Sequence, residues 1–183
     1  MNDSIRLYSE QGFLSRFHII MRHLLSPLEL VEARVPEAGN ILDLGCGHGL
    51  FTNYMALKAP SRNILGVDPA PEKIKVAQKT EAKIPNVSYL LGSIEGISQD
   101  KPFDAITIVD VLYLLPEIKQ KEILDTCYRL LADSGILVLK AQDTKPRWRY
   151  LWMRIQESVM VGMGLTHGKG LHFMPVARTR QLL

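Results

Sequence analysis

A short glycine-rich segment near the first third of the chain is the strongest candidate for a ligand site. It follows the apolar run Ile41–Leu44, which contains Asp43, and it precedes Leu50, where a helix is predicted to begin. Its members are Gly45, Cys46, Gly47, His48 and Gly49. Glycine lacks a Cβ, so the backbone of such a loop can approach a ligand closely. The first N–H groups of a following helix favour a negatively charged group, which predicts an anion such as a carboxylate at this loop.

A second acid follows the next apolar run. Asp68 stands 23 residues after Gly45 and directly before Pro69. At the end of the second parallel strand, a carboxylate lies beside the glycine loop and can accept hydrogen bonds from ribose hydroxyls. An alternative role for Asp68, as the cap of the following helix, does not exclude the first role. The two segments together predict an adenosine-containing ligand.

The spacing of the glycines distinguishes two classes of adenosine-binding protein. A dinucleotide fingerprint, Gly-x-Gly-x-x-Gly, needs a glycine where Leu50 stands, so a nicotinamide-dependent oxidoreductase is disfavoured. The segment Ile41–Leu50 resembles instead the first motif of the class I S-adenosylmethionine-dependent methyltransferases. That resemblance implies that the loop binds the amino-acid end of the cofactor, and that Asp43 contacts its ammonium group, commonly through water.

Further segments match other parts of the site that the resemblance implies. Ser93 stands where the family usually has an acid near the adenine ring, and a plain turn residue is the alternative for it. Ile94 would contact the edge and the face of that ring. Asp110 and Val111 resemble the fourth motif, which contacts cofactor and substrate, and Tyr8 lies in a segment that often folds over the cofactor. The expected cofactor-binding residues are Tyr8, Asp43, Gly45, Cys46, Gly47, His48, Gly49, Asp68, Pro69, Ser93, Ile94, Asp110 and Val111.

Catalysis of methyl transfer requires a nucleophile held in line with the sulfur–methyl bond and protected from water. Asp110, His167 and His172 are the candidate general bases, with ordinary surface roles as the alternative for the histidines. A base is not needed if the acceptor is an easily ionised phenol or a stabilised carbanion. Lys140 is interpreted as a solvated residue at the edge of the sheet, with contact to the substrate as the alternative.

The expected reaction is methylation of a small-molecule or lipid-like acceptor, with S-adenosyl-L-homocysteine as the product. A non-catalytic S-adenosylmethionine-binding module and an RNA or protein methyltransferase are the alternatives. No Asn/Asp-Pro-Pro-Tyr motif stands at Asp110–Tyr113, which disfavours methylation of adenine or cytosine amino groups.

The elements that must position these residues alternate between β-rich runs and amphipathic stretches. The predicted strands are 40–44, 63–67, 87–91, 103–109 and 136–140, and the predicted helices between them are 50–58, 71–83 and 116–131. Another helix, Pro27–Val35 with Ser26 as its N-cap, precedes them. The first, fourth and fifth strands are nearly continuously apolar, which indicates burial on both faces. The sequence therefore predicts the α/β fold class, with a doubly wound, mostly parallel sheet in three α/β/α layers. The resemblance implies that this sheet is Rossmann-like, as in the methyltransferases.

One domain is predicted over residues 1–183. It comprises an N-terminal helical cap (1–38), a cofactor-binding core (39–143) and a C-terminal helical or lid segment (144–183). No strand pair is recognisable after Gln142, so the final hairpin of the family's sheet is expected to be missing. The open edge of the fifth strand would then favour a homodimer.

Composition excludes several classes of function. The net charge is +3 and the basic residues are dispersed, so no nucleic-acid partner is expected. Cys46 and Cys127 are too far apart in sequence to indicate a disulfide framework or a metal site, and neither a secretory signal nor a membrane span is found. These observations predict a cytoplasmic protein. The segment Arg147–Arg154 mixes cations and aromatics, which fits either a core-facing helix or peripheral contact with lipid.

Overall fold

The computed structural model describes residues 27–97 and 101–140, together with Ser4, Leu7 and Tyr8. Five strands form one parallel sheet in the order β3-β2-β1-β4-β5. They are β1 (Gly39–Leu44), β2 (Arg62–Asp68), β3 (Val87–Leu91), β4 (Phe103–Val109) and β5 (Leu131–Lys140). The order reverses between β1 and β4, and ligands of open parallel sheets bind at the carboxyl ends of such strands. The doubly wound sheet is confirmed.

Helices cover both faces of the sheet. They are α1 (Leu28–Glu32), α2 (Leu50–Lys58), α3 (Pro71–Gln78) and α4 (Glu117–Leu130), with 3₁₀ turns at Glu81–Lys83, Ile94–Gly96 and Leu112–Leu114. Adjacent residues of β1 point to opposite faces. Ile41 packs in one core with Met55 of α2, and Leu42 packs in a second core with Leu124 of α4. The predicted three-layer arrangement is confirmed.

Three element boundaries differ from the predictions by more than one residue. The helix at Pro27–Val35 is shorter, from Leu28 to Glu32, because Val35 precedes Pro36 and a residue before proline is disfavoured in helix. Its cap position is Pro27, whereas Ser26 lies outside the described residues. The helix after β2 ends at Gln78 instead of Lys83.

The third boundary is the start of β5, which lies at Leu131 instead of Ile136. The register with β4 is irregular, since Leu131 faces Phe103 and Ile136 faces Ala105. A Cβ at Gly135 would lie 2.8 Å from the carbonyl oxygen of Phe103, so this irregular stretch requires a glycine. The Ser134-Gly135 pair therefore marks a bulge inside β5, whereas the sequence predicted that the strand begins after this pair.

A buried cation fixes the segment before β1 to the sheet. The guanidinium of Arg62 is 1% exposed and donates to the carbonyls of Val35, Pro36 and Met55. It also lies 2.9 Å from the carboxylate of Glu32 in α1. Charge pairing and these four hydrogen bonds together offset the cost of burying this cation.

Some expectations fall outside this part of the chain. The C-terminal segment 144–183, most of the N-terminal cap and the expected lack of a final hairpin lie outside the described residues, and the single-domain division stays a prediction. No helix within the described ranges has the length and apolarity needed to cross a bilayer. The same ranges contain no group of three histidine, cysteine or acidic side chains placed to hold a metal ion.

Candidate functional site

The glycine loop between β1 and α2 has a backbone that only glycine adopts readily. The φ angles of Gly45, Gly47 and Gly49 are 76°, 57° and 81°, all in the left-handed region. A Cβ at Gly45 would lie 2.3 Å from Cγ2 of Val111, and one at Gly49 would lie 2.3 Å from the hydroxyl oxygen of Tyr89. Glycine at positions 45 and 49 therefore lets the loop sit against the end of β4 and against β3.

Asp68 holds the loop from the end of β2. Its Oδ2 accepts a hydrogen bond of 2.9 Å from the N–H of Gly47, and its Oδ1 accepts one of 2.9 Å from the N–H of Ala70. The cap position of α3 is Ala70, so Asp68 shapes the turn before the helix instead of capping it. A carboxylate has about four acceptor positions, so each oxygen can still accept from a ribose hydroxyl. The structure brings Asp68 and the loop together, and the ribose contact stays a prediction.

Most amides of the loop are already used within the protein. The N–H groups of Gly45 and Cys46 both donate to the carbonyl of Val67, and that of Gly49 donates to the carbonyl of Cys46. The amide of Gly47 is occupied by Asp68. The predicted carboxylate contact therefore fits the first N–H groups of α2 better than those of the loop. No side chain caps the start of α2.

Asp43 is 2% exposed and lies near the carboxyl end of β1, on the face covered by α2. Its Oδ2 accepts a hydrogen bond of 2.6 Å from the hydroxyl of Thr52, and its Oδ1 accepts one of 2.8 Å from the hydroxyl of Thr107. These bonds fix the direction of the carboxylate. Contact with an ammonium group of the cofactor stays a prediction.

Tyr8 reaches the outer side of the same loop. Its hydroxyl donates a hydrogen bond of 2.7 Å to the carbonyl of His48 and accepts one of 2.8 Å from the side-chain amide of Asn53. Burial raises the pKa of Tyr8, so the hydroxyl remains a donor over the ordinary pH range. Tyr8 thus supports the loop backbone, and its contact with a cofactor stays a prediction.

The sequence did not identify the buried polar network behind the loop. The hydroxyl of Tyr89 donates to Oδ1 of Asn53 at 2.7 Å, and the amide of Asn53 donates to the hydroxyl of Thr80 at 3.0 Å. Gly66 pairs with Tyr89 in the sheet, and a Cβ there would lie 2.6 Å from the tyrosine ring. Asparagine within the buried face of a helix is the one signal that would have suggested such a network.

Asp110 and Lys140 form an ion pair at the carboxyl ends of β4 and β5. The ammonium lies 2.5 and 2.6 Å from the two carboxylate oxygens, and the side chains are 11% and 17% exposed. Interpreting Lys140 as a solvated edge residue is therefore wrong, because Asp110 draws its ammonium inward. Asp110 has φ 57°, an uncommon value outside glycine that is often associated with functional sites. Its role as a general base stays a prediction.

Ser93 and Ile94 follow β3. The Ser93 hydroxyl hydrogen-bonds the Glu95 carboxylate, which lowers the pKa of Glu95. The Ile94 side chain is 2% exposed and packs in the core with Leu42 and Val67. The Ile94 side chain is thus used in the core, and the adenine contacts of both residues stay predictions.

A narrow cavity, here named the loop crevice, lies against the glycine loop. It encloses about 20 Å³, which is room for one water molecule. Its lining residues are Leu28, Asp43, Gly45, Cys46, Gly47, His48, Leu50, Phe51, Lys73 and Val109. A nucleoside-sized ligand would require the flexible lining side chains to move.

A larger groove of about 690 Å³ lies elsewhere, near the amino ends of β1 and β2. None of the predicted site residues that the structure describes lines it, so its size alone does not make it the functional site. His167 and His172 lie outside the described residues, and their roles as bases stay predictions.

Comparisons with known proteins agree with this chemistry. A family model described as "Methyltransferase domain" matches residues 41–135. The Ubiquinone biosynthesis O-methyltransferase of Xanthomonas campestris pv. campestris (strain B100) is 34% identical over 131 residues, which are 68% of this chain and 53% of that protein. The chain thus spans about half the length of the curated relatives it matches.

Solved structures with related sequences share the fold. PKMT2 from Rickettsia typhi, in complex with AdoHcy, has a TM-score of 0.57 and 27% identity, covering 74% of this chain and 28% of its own. The N-methyltransferase NodS from Bradyrhizobium japonicum WM9 has a TM-score of 0.56 and 27% identity, covering 69% of this chain and 71% of its own.

Proposed function

The chain belongs to the methyltransferase domain family, and on that premise we propose that it transfers the methyl group of S-adenosylmethionine to a hydroxyl oxygen of a small-molecule or lipid-like acceptor. The single observation that supports this most is the hydrogen bond from the Gly47 amide to Asp68. It joins the glycine loop to the end of β2, beside the point where the strand order reverses. The choice of a hydroxyl acceptor rests on the relatives named Ubiquinone biosynthesis O-methyltransferase.

The residues present suit the cofactor. A side chain at Gly45 or Gly49 would push the loop away from β4 or β3, so the bare backbone is a structural requirement. The carboxylate of Asp68 retains acceptor positions for two ribose hydroxyls, and that of Asp43 is fixed in a direction that can receive an ammonium. When bound, S-adenosylmethionine supplies an electrophilic methyl group, so the protein mainly has to orient the acceptor and exclude water.

The acceptor would approach over the carboxyl ends of β4 and β5. Asp110 lies there with both carboxylate oxygens near the Lys140 ammonium. In this proposal Asp110 accepts a hydrogen bond from the acceptor hydroxyl, and Lys140 fixes the carboxylate in the orientation required. His167 and His172 remain the other candidate bases.

Incubation with S-adenosylmethionine labelled in its methyl group tests the proposal. Extracts fractionated into small molecules, lipids, RNA and protein serve as acceptors. We expect label in the small-molecule or lipid fraction, released by treatments that cleave methyl ethers. The Asp68→Ala variant should lose this activity, whereas Asp125→Ala, the same change on an exposed turn of α4, should retain it.

Two other outcomes would replace the proposal. Label confined to RNA or protein would favour the macromolecular class of methyltransferase. Tight binding of S-adenosylhomocysteine without transfer to any fraction would favour a non-catalytic binding module.

The proposal also includes a cytoplasmic location, a homodimer formed through the edge of β5 and peripheral lipid contact through residues 147–154. The location is supported by Cys46 and Cys127, neither of which is in a disulfide bond. Size-exclusion chromatography with light scattering tests the dimer, and flotation with vesicles tests the lipid contact.

A further inference from the structure

Lys73 is a cation that lines the loop crevice and that the motifs did not identify. It lies in the first turns of α3, and its Cδ would be 4.0 Å from a Cβ placed on Gly47. The side chain is half-buried. None of the ion pairs among the described residues includes it. Its aliphatic stem thus lies over the glycine loop while its charge has no assigned role.

The hydrogen bonds within the loop leave few N–H groups for an anionic ligand, so such a ligand would need a nearby cation. Gly45, Cys46, Gly47 and Gly49 all donate their amides to protein acceptors. A ligand carboxylate at this loop would therefore find few backbone donors beyond the first amides of α2. Leu50 and Phe51, which begin α2, line the crevice together with Lys73. The helix start and the Lys73 ammonium can therefore act on one anionic group.

We propose that Lys73 binds the carboxylate of the cofactor's amino-acid end. This inference rests on the proposed function. The amino-acid end is a zwitterion, and the crevice lining offers one group of each charge: Asp43 for the ammonium and Lys73 for the carboxylate. The side chain of Lys73 is long and flexible, so it can also move aside to widen a crevice that now encloses about 20 Å³.

The test compares two ligands that differ only in the carboxylate. Isothermal titration calorimetry measures the affinity of S-adenosylhomocysteine and of its decarboxylated analogue, which keeps the adenosine, the sulfur and the ammonium. For Lys73→Met we expect about a tenfold loss of affinity for S-adenosylhomocysteine, within the range for charge-assisted hydrogen bonds. The affinity for the decarboxylated analogue should change less than about twofold, because the group that Lys73 binds is absent from that ligand.

Matched variants separate this role from a general effect of charge. Lys75→Met removes an exposed lysine from the same helix and should leave both affinities unchanged. Lys73→Arg should restore most of the affinity for S-adenosylhomocysteine, since it keeps the positive charge.

Three outcomes would overturn the assignment. The first is an equal loss of affinity for both ligands in Lys73→Met, and the second is no loss of affinity for either ligand. The third is a change confined to the KM of an acceptor that has its own carboxylate. If the unmodified protein binds neither ligand, the proposed function fails, and this result differs from all three.

Discussion

The backbone N–H of Gly47 donates a hydrogen bond of 2.9 Å to Oδ2 of Asp68, which joins the loop after β1 to the end of β2. One carboxylate therefore shapes the glycine loop and also lies beside it with acceptor capacity left. If Asp68 also binds the ribose as proposed, loop shape and ribose recognition depend on the same side chain.

Replacement of Asp68 by alanine should weaken binding of S-adenosylhomocysteine at least tenfold. The variant lacks the carboxylate proposed to form charge-assisted hydrogen bonds to the ribose, worth about 1.5–3 kcal/mol each, and it also leaves the Gly47 amide without its acceptor. Calorimetric titration measures the affinity, and a thermal melt of each protein shows whether the fold persists. An affinity equal to that of the unmodified protein would refute the ribose assignment.

Alanine at Gly45 should abolish cofactor binding. The substitution adds a side chain to a residue with φ 76° and places its Cβ 2.3 Å from Val111. Strain of this kind costs about 1–3 kcal/mol, so the midpoint of chemical denaturation should also fall. Gly92→Ala is the matched control, because no atom lies within 4 Å of its Cβ position. Normal binding by Gly45→Ala would contradict the described loop geometry.

Loss of Lys140 should lower turnover and stability together. Lys140→Met removes the cation that contacts the carboxylate of Asp110, which is 11% exposed, and loss of one partner of such a partly buried pair costs about 1–3 kcal/mol. The double variant Asp110→Leu with Lys140→Met should regain stability but not turnover, because it removes the carboxylate together with its cation and with the proposed acceptor contact. Urea denaturation and initial rates measure the two effects. Lys119→Met, which breaks an exposed pair with Glu122, should change neither.

The two cysteines should differ in reactivity. Burial raises the pKa of Cys127 to about 12 and its side chain is 0% exposed, so it should resist a disulfide reagent at pH 8 in the native protein. Cys46 is half-buried in the loop and should react, more slowly when S-adenosylhomocysteine is bound. Absorbance of the released thiolate follows the reaction, and Cys46→Ser identifies its source. Fast reaction of Cys127 without denaturant would contradict the described core.

Burial of Cys127 also has a consequence at high pH. The thiol ionises near its ordinary value of 9.0 in the unfolded chain, and only near 12 in the folded one. The unfolded state therefore gains by ionisation between these values, and the free energy of unfolding should fall as the pH rises through this window. Cys127→Ala should reduce the fall, as measured by urea denaturation at a series of pH values. An equal fall in both proteins would assign the effect to other groups.

The sequence predicted the features that depend on local pattern. Short β-rich runs identified the five strands, of which the first, fourth and fifth are nearly continuously apolar. The glycine spacing and Asp68 predicted two segments that lie together beside the point where the strand order reverses. The contact of Lys140 with Asp110 was not predictable, because it depends on the register of β5, which a bulge before Ile136 shifts. The Tyr8, Asn53 and Tyr89 network was missed for a related reason. Its members are far apart in the chain and have no common spacing.

The proposed cofactor site is tested by calorimetric titration of the unmodified protein with S-adenosylhomocysteine. We expect saturable binding of one molecule per chain, displaced by S-adenosylmethionine and unaffected by NAD. The absence of binding, or displacement by NAD, would contradict it.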